Sequence, residues 1–211
     1  KATIAWVNEV LSDQQHGGFY ASQDADQTLD DDGDYFTWTL RELRAVLSPE
    51  EAHVMELYYD VRETGEMHHS REKNVLWVAQ PVDEIARALL LQIDEIAHII
   101  ARSKQKMLAA RRERRPTPAI DETLYIGWNA MLASAYLEAA NILGREDCRA
   151  FALKTLDRLL SEAWDESRGF LHRAGGPRLE GSLDDQVFGA AALLDAFETT
   201  LDSRYFKGAE R

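Results

Sequence analysis

Apolar residues recur at helical spacing along most of the chain. Residues 1–11 read as the last turns of a helix, with Ile4, Val7 and Leu11 on one face and Ala5 beside it. The pattern changes between 18 and 38, where Phe19-Tyr20 and Tyr35-Phe36-Thr37-Trp38 flank a Gly- and Asp-rich stretch; this predicts a small β-hairpin with an acidic tip. Thr39 precedes a short helical run through Leu47. Ser48-Pro49-Glu50-Glu51 then has the form of a helix start, serine at the N-cap and proline at the first helical position. Residues 63–78 have little helical period, and Val75-Leu76-Trp77-Val78 reads as a short strand. Helical residues dominate from 82 to about 115, split near Leu91. The clearest pattern spans 120–144, where Leu124, Trp128, Met131, Leu132, Ala135, Tyr136, Ala139, Ile142 and Leu143 follow the spacing of one buried stripe and Gly144 ends it. Two more helices are predicted at about 146–163 and 183–201, and Ser203 has the place of an N-cap for another. The two ends read as cuts within helices, so the expectation is a piece of a longer chain.

Two internal similarities stand out. VLSDQQHGGFY at Val10 resembles AWDESRGFLH at Ala163, each a helix end, a polar linker and a Gly-Phe return. AYLEAANILGRED from Ala135 resembles DAFETTLDSRY from Asp195, at an offset of about 60 residues, as expected of an array of helical hairpins whose neighbours bury one another's faces.

Composition narrows the class. The 211 residues carry 24 Lys and Arg against 37 Asp and Glu, a net charge of −13, with 45% hydrophobic residues, enough for a real core and too much for disorder. No stretch is long and apolar enough for a membrane helix, so a soluble, cytoplasmic protein is expected. The acidic balance disfavours phosphate backbones and anionic membranes as partners. Cys148 is the single cysteine, which excludes an internal disulfide, a CxxC pair and a cysteine-built zinc site.

Five ordered blocks carry a resemblance over nearly the whole chain: HGGFYASQDAD (16–26), GDYFTWTLREL (33–43), REKNVLW (71–77), RRERRPTPAIDETLYIGWNAM (111–131) and GSLDDQVFGAAALLDAFE (181–198). They are similar to the thioredoxin-domain-containing, spermatogenesis-associated protein family. That resemblance implies a mainly α fold, an incomplete (α/α)6 toroid of the six-hairpin glycosidase-like kind, similar also to N-acylglucosamine 2-epimerases, with the small β-hairpin near 18–38. It implies that all 211 residues are part of one toroid domain, with a thioredoxin-like domain upstream and further hairpins beyond. Six hairpins of this period would need on the order of 360 residues. Where the family reads two acids, a lysine and Ser-Trp-Asn-Gly, this chain has Asp121, Glu122, Thr123 and then Gly127, Trp128, Asn129, Ala130, so the lysine is replaced.

Sugar chemistry in such toroids draws on carboxylates or histidines around a cavity and on aromatic faces that stack on pyranose rings. Glycoside hydrolysis uses two carboxyl groups; epimerisation uses a base that removes a proton beside a carbonyl and an acid that returns it on the other face. The candidate catalytic acids are Asp121, Glu122, Asp184 and Asp185, with helix capping as the structural alternative. The candidate substrate-binding residues are Asp24, Asp26, Trp38, Trp128, Asn129, His16 and His172. Trp128 sits on the apolar stripe, which favours the core, whereas Asn129 is off it. His16 and His172 both flank Gly-Phe turns and are the best-placed proton carriers, against the alternative of solvated turn histidines.

His68-His69 lacks a third ligand at metal spacing. The run TLDDDGD has Thr28 and Thr39 where an EF-hand needs acids. The basic residues of 102–115 suit a helix C-terminus and lack the aromatic interleaving of a nucleic-acid surface. No metal and no cofactor is expected. The expected function is a carbohydrate-active or carbohydrate-binding toroid domain, epimerase-like or glycosidase-like, with a sugar as ligand. The alternatives are a non-catalytic scaffold packed on the upstream thioredoxin-like domain and self-association through the open toroid edge.

Overall fold

A computed structural model describes residues 2–28, 31 and 33–211. Leu29, Asp30 and Asp32 of the Asp-rich run, on which the cation-loop reading partly falls, lie outside the described residues. Along the chain the helices are α1 (Ala2–Val10), α2 (Leu40–Val46), α3 (Pro49–Tyr59), α4 (Val82–Leu89), α5 (Ile93–Arg114), α6 (Ile126–Leu143), α7 (Glu146–Glu162), α8 (Leu183–Thr200) and α9 (Ser203–Ala209). The mainly helical class is borne out. The chain divides into two compact units, one formed by Lys1–Gln23 with Ile120–Arg211 and the other by Asp24–Ala119.

In the unit of Asp24–Ala119, both predicted helix starts are capping boxes. The Thr39 hydroxyl accepts from the Glu42 N–H while the Glu42 carboxylate accepts from the Thr39 N–H, and Ser48 and Glu51 repeat the arrangement at α3. The split near Leu91 is realised by Leu90, whose φ of 55° ends α4. Trp38, Leu43, Met55, Ile85 and Ile96 form the core. Glu51, buried on α3, receives Arg102 Nε at 2.5 Å and Lys106 Nζ at 2.8 Å from α5 and so ties the two helices.

The predicted hairpin of 18–38 is not formed as such. Its two ends do become short strands, but Ser22–Gln23 pairs antiparallel with Ile120–Asp121, and Trp38–Thr39 pairs with Lys73–Asn74. Among the described residues between them, Gly33 N–H donates to Asp26 and Asp34 N–H donates to Asp31. Asn74 fixes the second pairing: its buried amide donates to the Trp38, Arg62 and Glu72 carbonyls and accepts from Arg62 N–H. The predicted strand at Val75–Val78 is thereby displaced to Lys73–Asn74.

In the other unit α6, α7 and α8 pack around Ile126, Ala130, Leu137, Leu156, Leu159 and Leu193. The buried face of α6 is rotated from the predicted stripe. Ile126, Ala130, Ala133, Leu137 and Ala140 are inside, whereas Trp128, Met131, Ile142 and Leu143 are exposed. Alanines admit neighbouring helices close to the α6 backbone, so the face that carries Ala130, Ala133 and Ala140 turns inward together with Ile126 and Leu137. The helix also begins later than the periodicity suggests, because Ile120–Asp121 and Leu124–Tyr125 are strand residues, the latter paired with Arg173–Ala174. Asp202, not Ser203, caps α9 by accepting from the Arg204 N–H.

The Gly-Phe similarity has a structural counterpart. After α1 the chain turns through Gly17 (φ 83°) and Ser12 bridges Phe19; after α7 it turns through Gly169 (φ 77°) and Trp164–Asp165 pairs with Gly169–Phe170. Both turns need the left-handed backbone that glycine adopts without penalty. Both phenylalanines are buried, and Gly189 of α8 lets Phe170 in: a Cβ there would stand 2.4 Å from its ring.

Candidate functional site

The return after α7 delivers His172 to the start of α6, where its carbonyl accepts from Ile126 N–H at 3.0 Å. Across from it α8 begins at Ser182, and the third helical residue, Asp185, closes a capping box with that serine. Asp185 exceeds a cap, however. Its Oδ2 accepts from Ser182 N–H at 2.7 Å, from the Ser182 hydroxyl at 2.8 Å and from His172 Nδ1 at 2.8 Å, while Oδ1 accepts from Gly127 N–H at 2.9 Å. Burial alone would raise this carboxyl, but the His172 bond and the Ser182 and Gly127 donors hold it below the ordinary aspartate value.

An ionised carboxylate only accepts hydrogen bonds, so Nδ1 of His172 must be the donor. The neutral ring then carries its proton on Nδ1 and leaves Nε2 as a base. Among the described residues, no hydrogen bond engages Nε2, and the imidazole side chain is 40% exposed while that of Asp185 is 3% exposed.

His172 opens onto a cavity of about 340 Å³ shared with Tyr125, Trp128, Met131, Asp184 and Phe188. The Tyr125 ring stands 5.2 Å from the imidazole and 5.0 Å from Trp128, so a continuous aromatic wall adjoins the base. Three separated stretches of chain therefore converge: the strand-to-α6 junction, the turn after α7 and the first turns of α8.

Of the residues singled out in the sequence, this cavity gathers His172, Trp128, Asp184 and Asp185. Trp128 is 53% exposed and lines the cavity, not the core. Asn129 is buried and faces inward instead: its Oδ1 accepts from Phe19 N–H at 2.6 Å, and its Nδ2 donates to the Phe19 and Tyr125 carbonyls. Asp121 and Glu122 are exposed outside the cavity lining; Asp121 accepts from Thr123 N–H at 3.0 Å, and the Thr123 hydroxyl, followed by that N–H, lowers its pKa. His16 is exposed against Asp13, which Arg158 also holds at 3.0 Å.

In the unit of Asp24–Ala119, Asp24 accepts from Ala25 N–H, Asp26 from Gly33 N–H, and Trp38 is buried with the Arg114 guanidinium 4.4 Å from its ring centre. Sequence reasoning missed Tyr125, Ser182 and Phe188. The Ser-x-x-Asp spacing at 182–185 is visible, but it signals a cap and says nothing of the histidine that shares it.

Among the described residues, no three His, Cys, Asp or Glu side chains are grouped as a metal would require. No helix among them is long and apolar enough to cross a membrane.

No protein-family model matches the chain. Over 244 aligned residues it is 25% identical to human spermatogenesis-associated protein 20 and 26% identical to the mouse protein of that name. These alignments cover the whole chain but only 31% and 30% of those proteins, so it spans about a third of the length of the curated relatives it matches. The relatives bear out the resemblance drawn from the five blocks. A solved structure, the crystal structure of a D-mannose isomerase, is 18% identical and aligns with 99% of this chain and 46% of its own at a TM-score of 0.37.

Proposed function

We propose that the cavity beside His172 binds a monosaccharide in its carbonyl form and that His172 moves a proton at the carbon next to that carbonyl. The observation that carries this reading is the His172–Asp185 pair: a buried, fully hydrogen-bonded carboxylate holding a part-exposed imidazole that borders an aromatic-walled cavity. Nε2 takes the proton from the carbon, the electron pair moves into an enediolate, and the imidazolium so formed is stabilised by Asp185. Delivery of a proton from solvent to the opposite face, on the side of the cavity that Asp184 lines, would epimerise the sugar, and the imidazolium would then return its proton to solvent. Trp128 and Tyr125 supply the stacking faces. In this reading the chain is part of a carbohydrate-active toroid, with a thioredoxin-like domain in the parent protein.

The test is solvent exchange. Incubating the protein in D2O with D-glucose, D-mannose, N-acetylglucosamine and cellobiose, proton NMR should show deuterium entering C2 of at least one sugar. His172→Gln should slow that exchange by roughly 100-fold or more, the range for loss of a positioned base. No exchange with any of the four, or equal exchange in the variant, contradicts the reading.

A second reading, a non-catalytic interaction domain, draws on the exposed apolar residues Trp128, Met131, Ile142 and Leu194 of α6 and α8. It predicts that sugars bind nowhere and that substituting these residues changes association alone.

A further inference from the structure

In the unit of Asp24–Ala119, helix α5 carries two cations with no carboxylate partner among the described residues. Most of its basic neighbours are paired with acids: Arg102 and Lys106 with Glu51, Arg114 and the following Arg115 with Glu42. Lys104 and Arg111, two turns apart, have no acidic partner among the described residues, in a chain of net charge −13. Lys104 Nζ donates to the Tyr58 hydroxyl at 3.1 Å and stands 4.7 Å from the centre of that ring. Arg111 lies 5.0 Å from the Tyr35 ring centre and 5.7 Å from that of Phe36, and its Nε is buried with no hydrogen-bond partner among the described residues. Both residues border one cavity of about 160 Å³, whose remaining walls are Trp38, Tyr59, Leu76, Met107 and Leu108.

We propose that this cavity binds a small organic carboxylate with a flat apolar body. Its carboxylate group is held by Arg111 and Lys104, and its body lies against Trp38, Leu76 and Met107. The guanidinium lies near the Tyr35 and Phe36 rings, contacts that use none of its N–H donors as conventional hydrogen bonds and leave them to an acceptor. Nε itself is enclosed, so an acceptor in the cavity would be met by the terminal nitrogens of the guanidinium, for which no hydrogen bond is formed among the described residues. An inorganic anion would meet the charges and leave the apolar walls wet, and a neutral apolar molecule would leave Lys104 and Arg111 without a counter-charge, so a ligand with both features satisfies the whole lining. The volume, well below the roughly 300 Å³ at which pockets for drug-sized molecules begin, limits the body to about one ring.

The experiment titrates the full chain with benzoate and phenylacetate, following the Trp38 indole and Arg111 Nε–H resonances in ¹H–¹⁵N spectra, with benzamide and inorganic phosphate as controls. At least one carboxylate should shift both resonances saturably, and neither control should. Arg111→Gln and Lys104→Gln, read at the Trp38 indole, should each weaken binding at least tenfold. Lys104 is exposed, so its variant keeps the fold and carries the test alone if Arg111→Gln does not. Absence of saturable shifts with both carboxylates, unchanged affinity in Lys104→Gln, or equal binding of benzamide or phosphate would overturn the proposal.

Discussion

Asp185 joins three parts of the chain with one carboxylate: it closes the N-terminus of α8, holds the first turn of α6 through Gly127 and orients His172. Its neighbour Asp184, identical in side chain, is exposed and does none of this. The difference is helical phase, which places the third helical residue over the N-cap, and the sequence shows that phase but not the imidazole waiting there. Asn129 makes the complementary point. Being polar and off the expected stripe, it reads as a cavity residue, yet it is the internal clamp for the Phe19 backbone. Asn129→Ala strands the Phe19 N–H and carbonyl in the interior and should lower stability by on the order of 3 kcal/mol in urea unfolding. A loss under about 1 kcal/mol would mean that the clamp is replaced by solvent.

Helix existence is legible because caps and breaks are local. The Thr39 and Ser48 starts, the break at Leu90 and the Gly144 end each depend on a few adjacent residues. Which face is buried is less legible, since α6 turns its alanines inward only because other helices approach there. Strand pairing is least legible, because the partners of Ser22–Gln23 and Trp38–Thr39 lie far along the chain or depend on Asn74.

The α3–α5 contact has a pH signature. Burial of Glu51 opposes its charge, but Lys106, the Ser48 N–H and Arg102 outweigh that and hold its carboxyl down to about 2. A carboxyl lowered on folding gives stability that is fully present above the unfolded value of about 4.3 and is lost as pH falls through the folded one. Unfolding free energy should therefore decline between about pH 4.5 and 2. Glu51→Gln should cost about 2 kcal/mol at pH 7 and flatten that decline. An unchanged slope in the variant would assign the acid sensitivity to other carboxylates.

At the scale of the molecule, the helical class and the resemblance of the five blocks were readable because both are distributed along the chain. The cavity was only half readable: His172, Trp128, Asp184 and Asp185 are polar or aromatic residues at element ends, whereas Asp121, Asn129 and His16 share that description and serve turns and clamps. Nothing local separates the two groups, because convergence on one cavity is set by how α6, the turn after α7 and α8 pack. The whole-chain ¹H–¹⁵N spectrum, titrated with D-mannose or N-acetylglucosamine, reads that convergence directly. Saturable shifts should cluster at Tyr125, Trp128, His172, Asp184 and Phe188 and leave Asp24, Asp26, Asp121 and Glu122 unmoved. Shifts centred on those four acids, or no shift with either sugar, would contradict a sugar pocket built around His172.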